Sequence, residues 1–187
     1  MYILGINAWH ADSSAAIFKV GEMIAASEEE RFRRVKHWAG FPSLAVEFCL
    51  KEAGISLKDV EHIAIGRDPK AKYWNKWRYL LTHPSDIKGV LERRKNAQQI
   101  FSLEDEMAAI DSSVSKKLIA SRLHFVEHHR AHLASAFFAS PYEEAALLSI
   151  DGSGDFTTTM NGMGKGKQIE IFDSLDFPHS IGLFYTA

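Results

Sequence analysis

His128 and His132 stand four residues apart in Leu123 to Asp155, which reads LHFVEHHRAHLASAFFASPYEEAALLSIDGSGD. On a helix that spacing places both imidazoles on one face, one turn apart. Neutral imidazoles so placed can hold a borderline metal, zinc or iron. Asp151 follows an apolar run, Ala145 to Ile150, that reads as a buried strand. A carboxylate at the end of such a strand, before Gly-Ser-Gly, lies where α/β sheets place ligands. A histidine pair alone also occurs on ordinary helix surfaces; the carboxylate is what makes His128, His132 and Asp151 a candidate ligand set. His129 occupies the position where the zincin motif needs glutamate, which excludes that motif. Asp151-Gly-Ser-Gly is expected to form a tight turn, and the backbone N–H groups of Gly152, Ser153 and Gly154 could approach a phosphate closely.

Two further stretches carry chemistry. The segment AWHADS joins two expected strands and holds His10, Asp12 and Ser13; loops on a rigid sheet are where binding groups sit, although a plain polar turn has the same composition. The segment Glu28 to His37, EEERFRRVKH, places three acids before four bases and a histidine. Such a run is commonly a solvated, salt-bridged surface. Alternatively Arg31, Arg34 or Lys36 points at an anionic substrate, arginine as a planar fork and lysine as a point charge. Gly162-Met-Gly-Lys-Gly166 reads as a hairpin loop and lacks the spacing and following helix of a Walker motif.

The elements that must position these groups follow from periodicity. Tyr2 to Asn7, Ser14 to Val20 and Glu22 to Ser27 read as an antiparallel meander. A helix should start at Pro42-Ser43 and stop at Gly54, and Val60 to Gly66 should be a strand. A meander, a helix crossover and a strand make the opening of a ribonuclease-H-like α/β fold. Residues 68–105 interrupt the pattern: Tyr73, Trp74, Trp77 and Tyr79 alternate with Lys70, Lys72, Lys76 and Arg78, and Lys88, Arg93, Arg94 and Lys95 follow. Such a segment could stack bases or sugars, but reads better as a helical insert whose long basic stems lie over apolar rings. Ser102 to Ala120 is expected to be one helix, and Leu123 to Glu127 a strand.

Composition bounds the rest. Among 187 residues, 46% are hydrophobic and 25% charged, the balance of a soluble globular protein. A net charge of −2 argues against a nucleic-acid surface. The single cysteine, Cys49, lies in the apolar stripe of an expected helix and rules out an internal disulfide. The N-terminus shows no signal-peptide pattern and no apolar run approaches the ~20 residues of a membrane span, so cytoplasm is the expected location. The closing run SIGLFYTA is apolar and uncharged, which suggests a piece of a longer protein.

Together, ILGINAWHADSSAAIF, EEERFRRVKH, HFVEHHRAHLASAFFAS, LLSIDGSGD and SIGLFYTA resemble the N-terminal part of O-carbamoyltransferases of the nodulation-protein U and antibiotic carbamoyltransferase type. The resemblance weakens between Asp68 and about Ser121. It implies the first lobe of an actin-like ATPase fold: a mixed sheet with flanking helices and a helical insert. A second lobe and a carbamoyl-adenylate-forming domain would follow in the full protein, so the 187 residues are expected to be inactive alone. The implied reaction makes carbamoyl adenylate from carbamoyl phosphate and ATP and passes the carbamoyl group to a hydroxyl of a small acceptor, in natural-product biosynthesis. The resemblance maps two metal-binding histidines onto His128 and His132 and a strand-end aspartate onto Asp151, with iron or zinc beside the nucleotide phosphate. Lys36, with Arg31, corresponds to the basic segment that contacts substrate. The family's His-Asp-Ser element falls on Ala11-Asp12-Ser13, so its histidine is displaced to His10, and either His10 or Asp12 could act as base. The alternatives are a threonylcarbamoyl-transferring tRNA-modification protein, a sugar-kinase-like ATPase and a non-enzymatic interaction module.

Overall fold

A computed structural model describes residues 1–84 and 102–186. In chain order the elements are β1 (Tyr2–Asn7), β2 (Ser14–Lys19), β3 (Glu22–Glu28), the short helix α1 (Glu30–Arg33), α2 (Ser43–Ala53), a 3-10 turn (Leu57–Asp59) and β4 (His62–Ile65). Then come α3 (Tyr73–Thr82), α4 (Leu103–Ile110), α5 (Lys116–Arg122), β5 (Leu123–Phe125), α6 (His128–Phe138), β6 (Glu144–Gly154), β7 (Thr157–Lys165), β8 (Gln168–Asp176) and α7 (Ile181–Thr186). They fall into two compact units: residues 1–66 with 102–125 of the described chain, and residues 67–84 with 126–186.

The first unit is a five-stranded sheet in the order β3-β2-β1-β4-β5. β1, β2 and β3 pair antiparallel, whereas β4 lies parallel to β1, and β5 parallel to β4. This is the ribonuclease-H-like arrangement expected from the element order: mixed α/β, one sheet, flanking helices. Alternate residues of β1 and β4, Leu4 and Ile6, Ile63 and Ile65, are buried with Ile17 of β2. Ala45, Val46 and Cys49 of α2 and Leu103 and Met107 of α4 complete that core. Pro42 precedes α2, and Gly54 ends it in the left-handed region at φ 65.

The second unit is an antiparallel meander, β6-β7-β8. Helix α6 packs Leu133 and Phe137 against Leu147 and Met160. Helix α3 belongs to this unit: Lys72 pairs with Asp176 at 3.1 Å and donates to Ser174 at 2.9 Å, and the Tyr79 ring meets Phe156 and Phe177 edge-on. These contacts favour the covering role for the aromatic-basic segment, although Trp74 remains exposed. Lys88, Arg93, Arg94 and Lys95 lie outside the described residues.

Three local expectations are corrected. Residues 151–154 do not form a turn; they continue β6 through a register shift, and the reversal is the two-residue turn Asp155-Phe156, with φ of 52 and 82. Positive φ at both positions is what a tight antiparallel hairpin requires. Gly162 and Gly164 lie inside β7, and the loop is Gly166-Lys167; a side chain on Gly164 would meet the Phe137 ring at 2.7 Å, so the glycine seats α6 on the sheet. The single helix expected over 102–120 is two, because the Asp111 carboxylate accepts from the Ser113 N–H (3.0 Å) and hydroxyl (2.6 Å) and turns the chain.

Candidate metal centre

The centre is built from α6 and β6 within the second unit. His128 is the first residue of α6 and His132 sits one turn on. The start of the helix is fixed twice. The Glu127 side chain accepts from the Arg130 N–H at 2.8 Å, and the Asp155 carboxylate accepts from the His128 N–H at 3.0 Å. Asp155 also accepts from the Asp68 N–H at 2.7 Å. Burial raises its carboxyl above the usual carboxylate range, against the pull of those N–H groups, Lys76 and Arg67.

β6 carries Asp151 to the same place. Ser180 donates to the carbonyls of Asp151 and Gly152 at 3.0 and 2.9 Å and accepts from the Leu183 N–H, joining the start of α7 to the strand. The Asp151 carboxylate accepts from the Gly152 N–H at 2.6 Å. A side chain at Gly154 would run into the His128 imidazole, so a glycine is required where helix and strand meet.

The three side chains converge. His128 Nε2 lies 2.9 Å from Asp151 Oδ2, His132 Nε2 lies 3.0 Å from His128 Nε2, and His132 Nε2 is 3.9 Å from the same carboxylate oxygen. The two rings are nearly perpendicular, at 87°. Donors bound to one ion at zinc-like distances of about 2.0–2.2 Å stand roughly 3–3.5 Å from one another. The two contacts of His128 stand at about that spacing, the His132–Asp151 pair is wider by a few tenths of an ångström, and all three ligand atoms lie within 4.8 Å of one another, close enough to be candidates for one cation. Burial, then the neighbouring His128, lowers the His132 pKa and favours the neutral imidazole that ligates metals. Burial works to raise the Asp151 carboxyl, but the His128 hydrogen bond and the Gly152 N–H outweigh it and hold the group below its ordinary value.

His129 plays a different part. It is fully buried; its Nε2–H donates to the Thr157 carbonyl at 3.0 Å, and its Nδ1 accepts from the Ser149 hydroxyl at 2.8 Å. It ties α6 to both strands of the β6–β7 hairpin.

The remaining expected site residues lie elsewhere. Gly152, Ser153 and Gly154 are strand residues beside the triad. His10, Asp12, Arg31 and Lys36 are exposed residues of the first unit. His10 donates from Nδ1 to the Ala11 carbonyl at 3.0 Å, whereas Asp12 accepts from His37 Nδ1 at 2.8 Å. Within EEERFRRVKH, Glu29 is structural. It is fully buried, pairs with Arg33 at 2.7 Å, and accepts from the N–H groups of Ala45 and Leu44 at the start of α2. The sequence reading missed Glu29, His37, Ser180 and Asp155. Only Glu29 carried a local signal, its i,i+4 spacing to Arg33.

The chain belongs to the carbamoyltransferase family: the family model described as "Carbamoyltransferase N-terminus" matches residues 2–187. Similar proteins include the uncharacterized protein sll1178 of Synechocystis, 39% identical over 100% of this chain and 31% of its own length. Another is the nodulation protein NolNO of Sinorhizobium fredii, 30% identical over 96% of this chain and 25% of its own. The chain thus spans between a quarter and a third of the length of these relatives. Among solved structures, YeaZ from Pseudomonas aeruginosa is similar over 95% of this chain and 68% of its own, with a TM-score of 0.47 and 18% identity.

Proposed function

We propose that these residues form the metal-binding part of an O-carbamoyltransferase. The longer protein transfers a carbamoyl group from carbamoyl adenylate, made from carbamoyl phosphate and ATP, to a hydroxyl of a small natural-product acceptor. The observation that carries the reading is the convergence of His128, His132 and Asp151 in a chain of this family. His128 and His132 through Nε2 and Asp151 through Oδ2 would hold an iron or zinc ion. When bound, such an ion supplies positive charge that neutralises the phosphate of a departing adenylate.

The chain's own groups do the remaining work. Ser153 offers backbone beside the candidate ligands for a phosphate oxygen, whereas the Gly152 N–H is engaged by the Asp151 carboxylate. Arg31 and Lys36 offer exposed positive charge for the anionic substrate. Ser180 and Asp155 hold the strand and helix that carry the ligands. No described helix is long and apolar enough to cross a membrane.

The test is transfer of isotope-labelled carbamoyl phosphate, with ATP, to a panel of polyhydroxylated acceptors by the full-length protein. The expected outcome is a labelled carbamate ester, with His132→Ala and Asp151→Asn each lowering turnover at least a hundredfold. A protein that holds its metal and consumes neither ATP nor carbamoyl phosphate contradicts the reading.

A further inference from the structure

Asp12 and His37 are 25 residues apart, yet Asp12 Oδ1 lies 2.8 Å from His37 Nδ1. The contact is built from both sides. Each residue has its backbone in the left-handed region, Asp12 at φ 65 and His37 at φ 54, an uncommon state for residues other than glycine. The Asp12 carbonyl accepts from the Asn7 side chain at 3.1 Å, and the His37 N–H donates to Glu30 Oε2 at 3.0 Å. Next to Asp12, the buried Ser13 donates its N–H to the Trp38 carbonyl at 3.0 Å and its hydroxyl to the Gly40 carbonyl at 2.7 Å. The loop after β1 and the segment after α1 are thus sewn together around this pair.

A carboxylate on Nδ1 fixes the imidazole tautomer: Nδ1 carries the proton, and the lone pair sits on Nε2. The His37 side chain is 74% exposed, which leaves Nε2 open to an incoming group. A Glu30 carboxylate oxygen lies within 4.8 Å of the Asp12 and His37 ligand atoms, and that carboxylate accepts from the His37 N–H, in a supporting position. An imidazole backed by a carboxylate and open at its far nitrogen is the arrangement of a general base.

We propose that His37, oriented by Asp12, is the base that deprotonates the acceptor hydroxyl, in place of the His10 or Asp12 expected from the sequence. This rests on the carbamoyl-transfer reading. The acceptor O–H proton passes to His37 Nε2, and the acceptor oxygen forms its bond to the carbamoyl carbon. The bond from that carbon to the adenylate phosphate oxygen breaks, AMP leaves with the electron pair, and His37 releases the proton to water. Asp12 is a positioning residue: its carboxylate is engaged with His37 Nδ1 and holds the ring.

The experiment measures carbamoyl transfer to glycerol, glucosamine and an aminoglycoside by the full-length protein, with AMP release followed in parallel. His37→Ala is expected to lower kcat about 10²–10⁴-fold with KM for carbamoyl phosphate unchanged. Added imidazole should restore at least tenfold of that loss, which a misfolded variant could not show. Asp12→Asn should lower kcat, and the Asp12→Asn/His37→Ala double variant should be no slower than His37→Ala alone, because the two residues act as one unit. Additive losses would mark Asp12 as merely structural and overturn the pairing. If His10→Ala shows the loss and the imidazole rescue while His37→Ala keeps the wild-type rate, His37 is not the base. A wild-type protein that releases no AMP from ATP and carbamoyl phosphate refutes the underlying transfer reading instead.

Discussion

Asp155 has the most consequential environment of any single residue that the sequence did not flag. Its carboxylate serves two backbone N–H groups, those of Asp68 and His128, yet burial pushes its pKa up. A carboxyl whose folded pKa is raised contributes stability that is present at low pH and lost as pH rises through the folded value. Asp155→Asn keeps an oxygen acceptor, removes the buried charge and suits the left-handed backbone at this position. It should melt close to wild type at pH 7 and abolish that part of the pH dependence. Asp155→Ala should cost about 1–3 kcal/mol by leaving N–H groups unpaired. Melting curves of both variants from pH 4 to 8 decide this; an unchanged pH profile in Asp155→Asn contradicts it. Cys49 gives a second residue-scale outcome. Burial raises its thiol to about 11, so it should resist a thiol reagent at pH 8 until the protein unfolds. Rapid stoichiometric labelling in native buffer would show the reverse. The convergence of His128, His132 and Asp151 was legible because its signals are local. His128 and His132 share a helical face and Asp151 follows an apolar strand, so type and spacing were enough. Asp12 with His37, and Asp68 with Asp155, meet only through the fold, and nothing local marks them.

At the scale of elements, the centre depends on how closely β6 approaches α6. Gly154 is the contact point, since any side chain there would occupy the space of the His128 ring. Gly154→Ala is therefore expected to displace that imidazole, lowering zinc or iron affinity at least tenfold and stability by about 1–3 kcal/mol. Metal titration and thermal melting of the variant check this, and wild-type values in both would contradict it. The same glycine explains a misreading. Gly-Ser-Gly suggests a turn because glycine favours reversals, but here close packing calls for it inside a bulged strand. Gly162 and Gly164 repeat the lesson in β7. The elements read well were those with an unbroken period and clear ends. β1 matched residue for residue, and α2 followed from its apolar stripe between Pro42 and Gly54. The break between α4 and α5 was missed because Asp111 and Ser113 turn the chain with side-chain hydrogen bonds that leave the helical composition intact.

For the molecule as a whole, the candidate groups are distributed over two units. The first supplies the mixed sheet, the Asp12–His37 pair and the basic segment; the second supplies the His-His-Asp centre on a three-stranded meander. The fold class was legible because meander, crossover helix and parallel strand follow one another in the sequence with little interruption. The division into units was not, since residues 67–84 join the second unit through contacts far along the chain, such as Lys72 with Asp176. Family membership rests on the match over residues 2–187, while the proposed chemistry requires that three converging side chains hold an ion. Elemental analysis of the full-length protein purified without added metal tests that most directly. About one iron or zinc per chain, lost in His128→Ala and His132→Ala, is the predicted result. A protein that carries no transition metal, binds none on addition, and is indifferent to both substitutions would contradict the account.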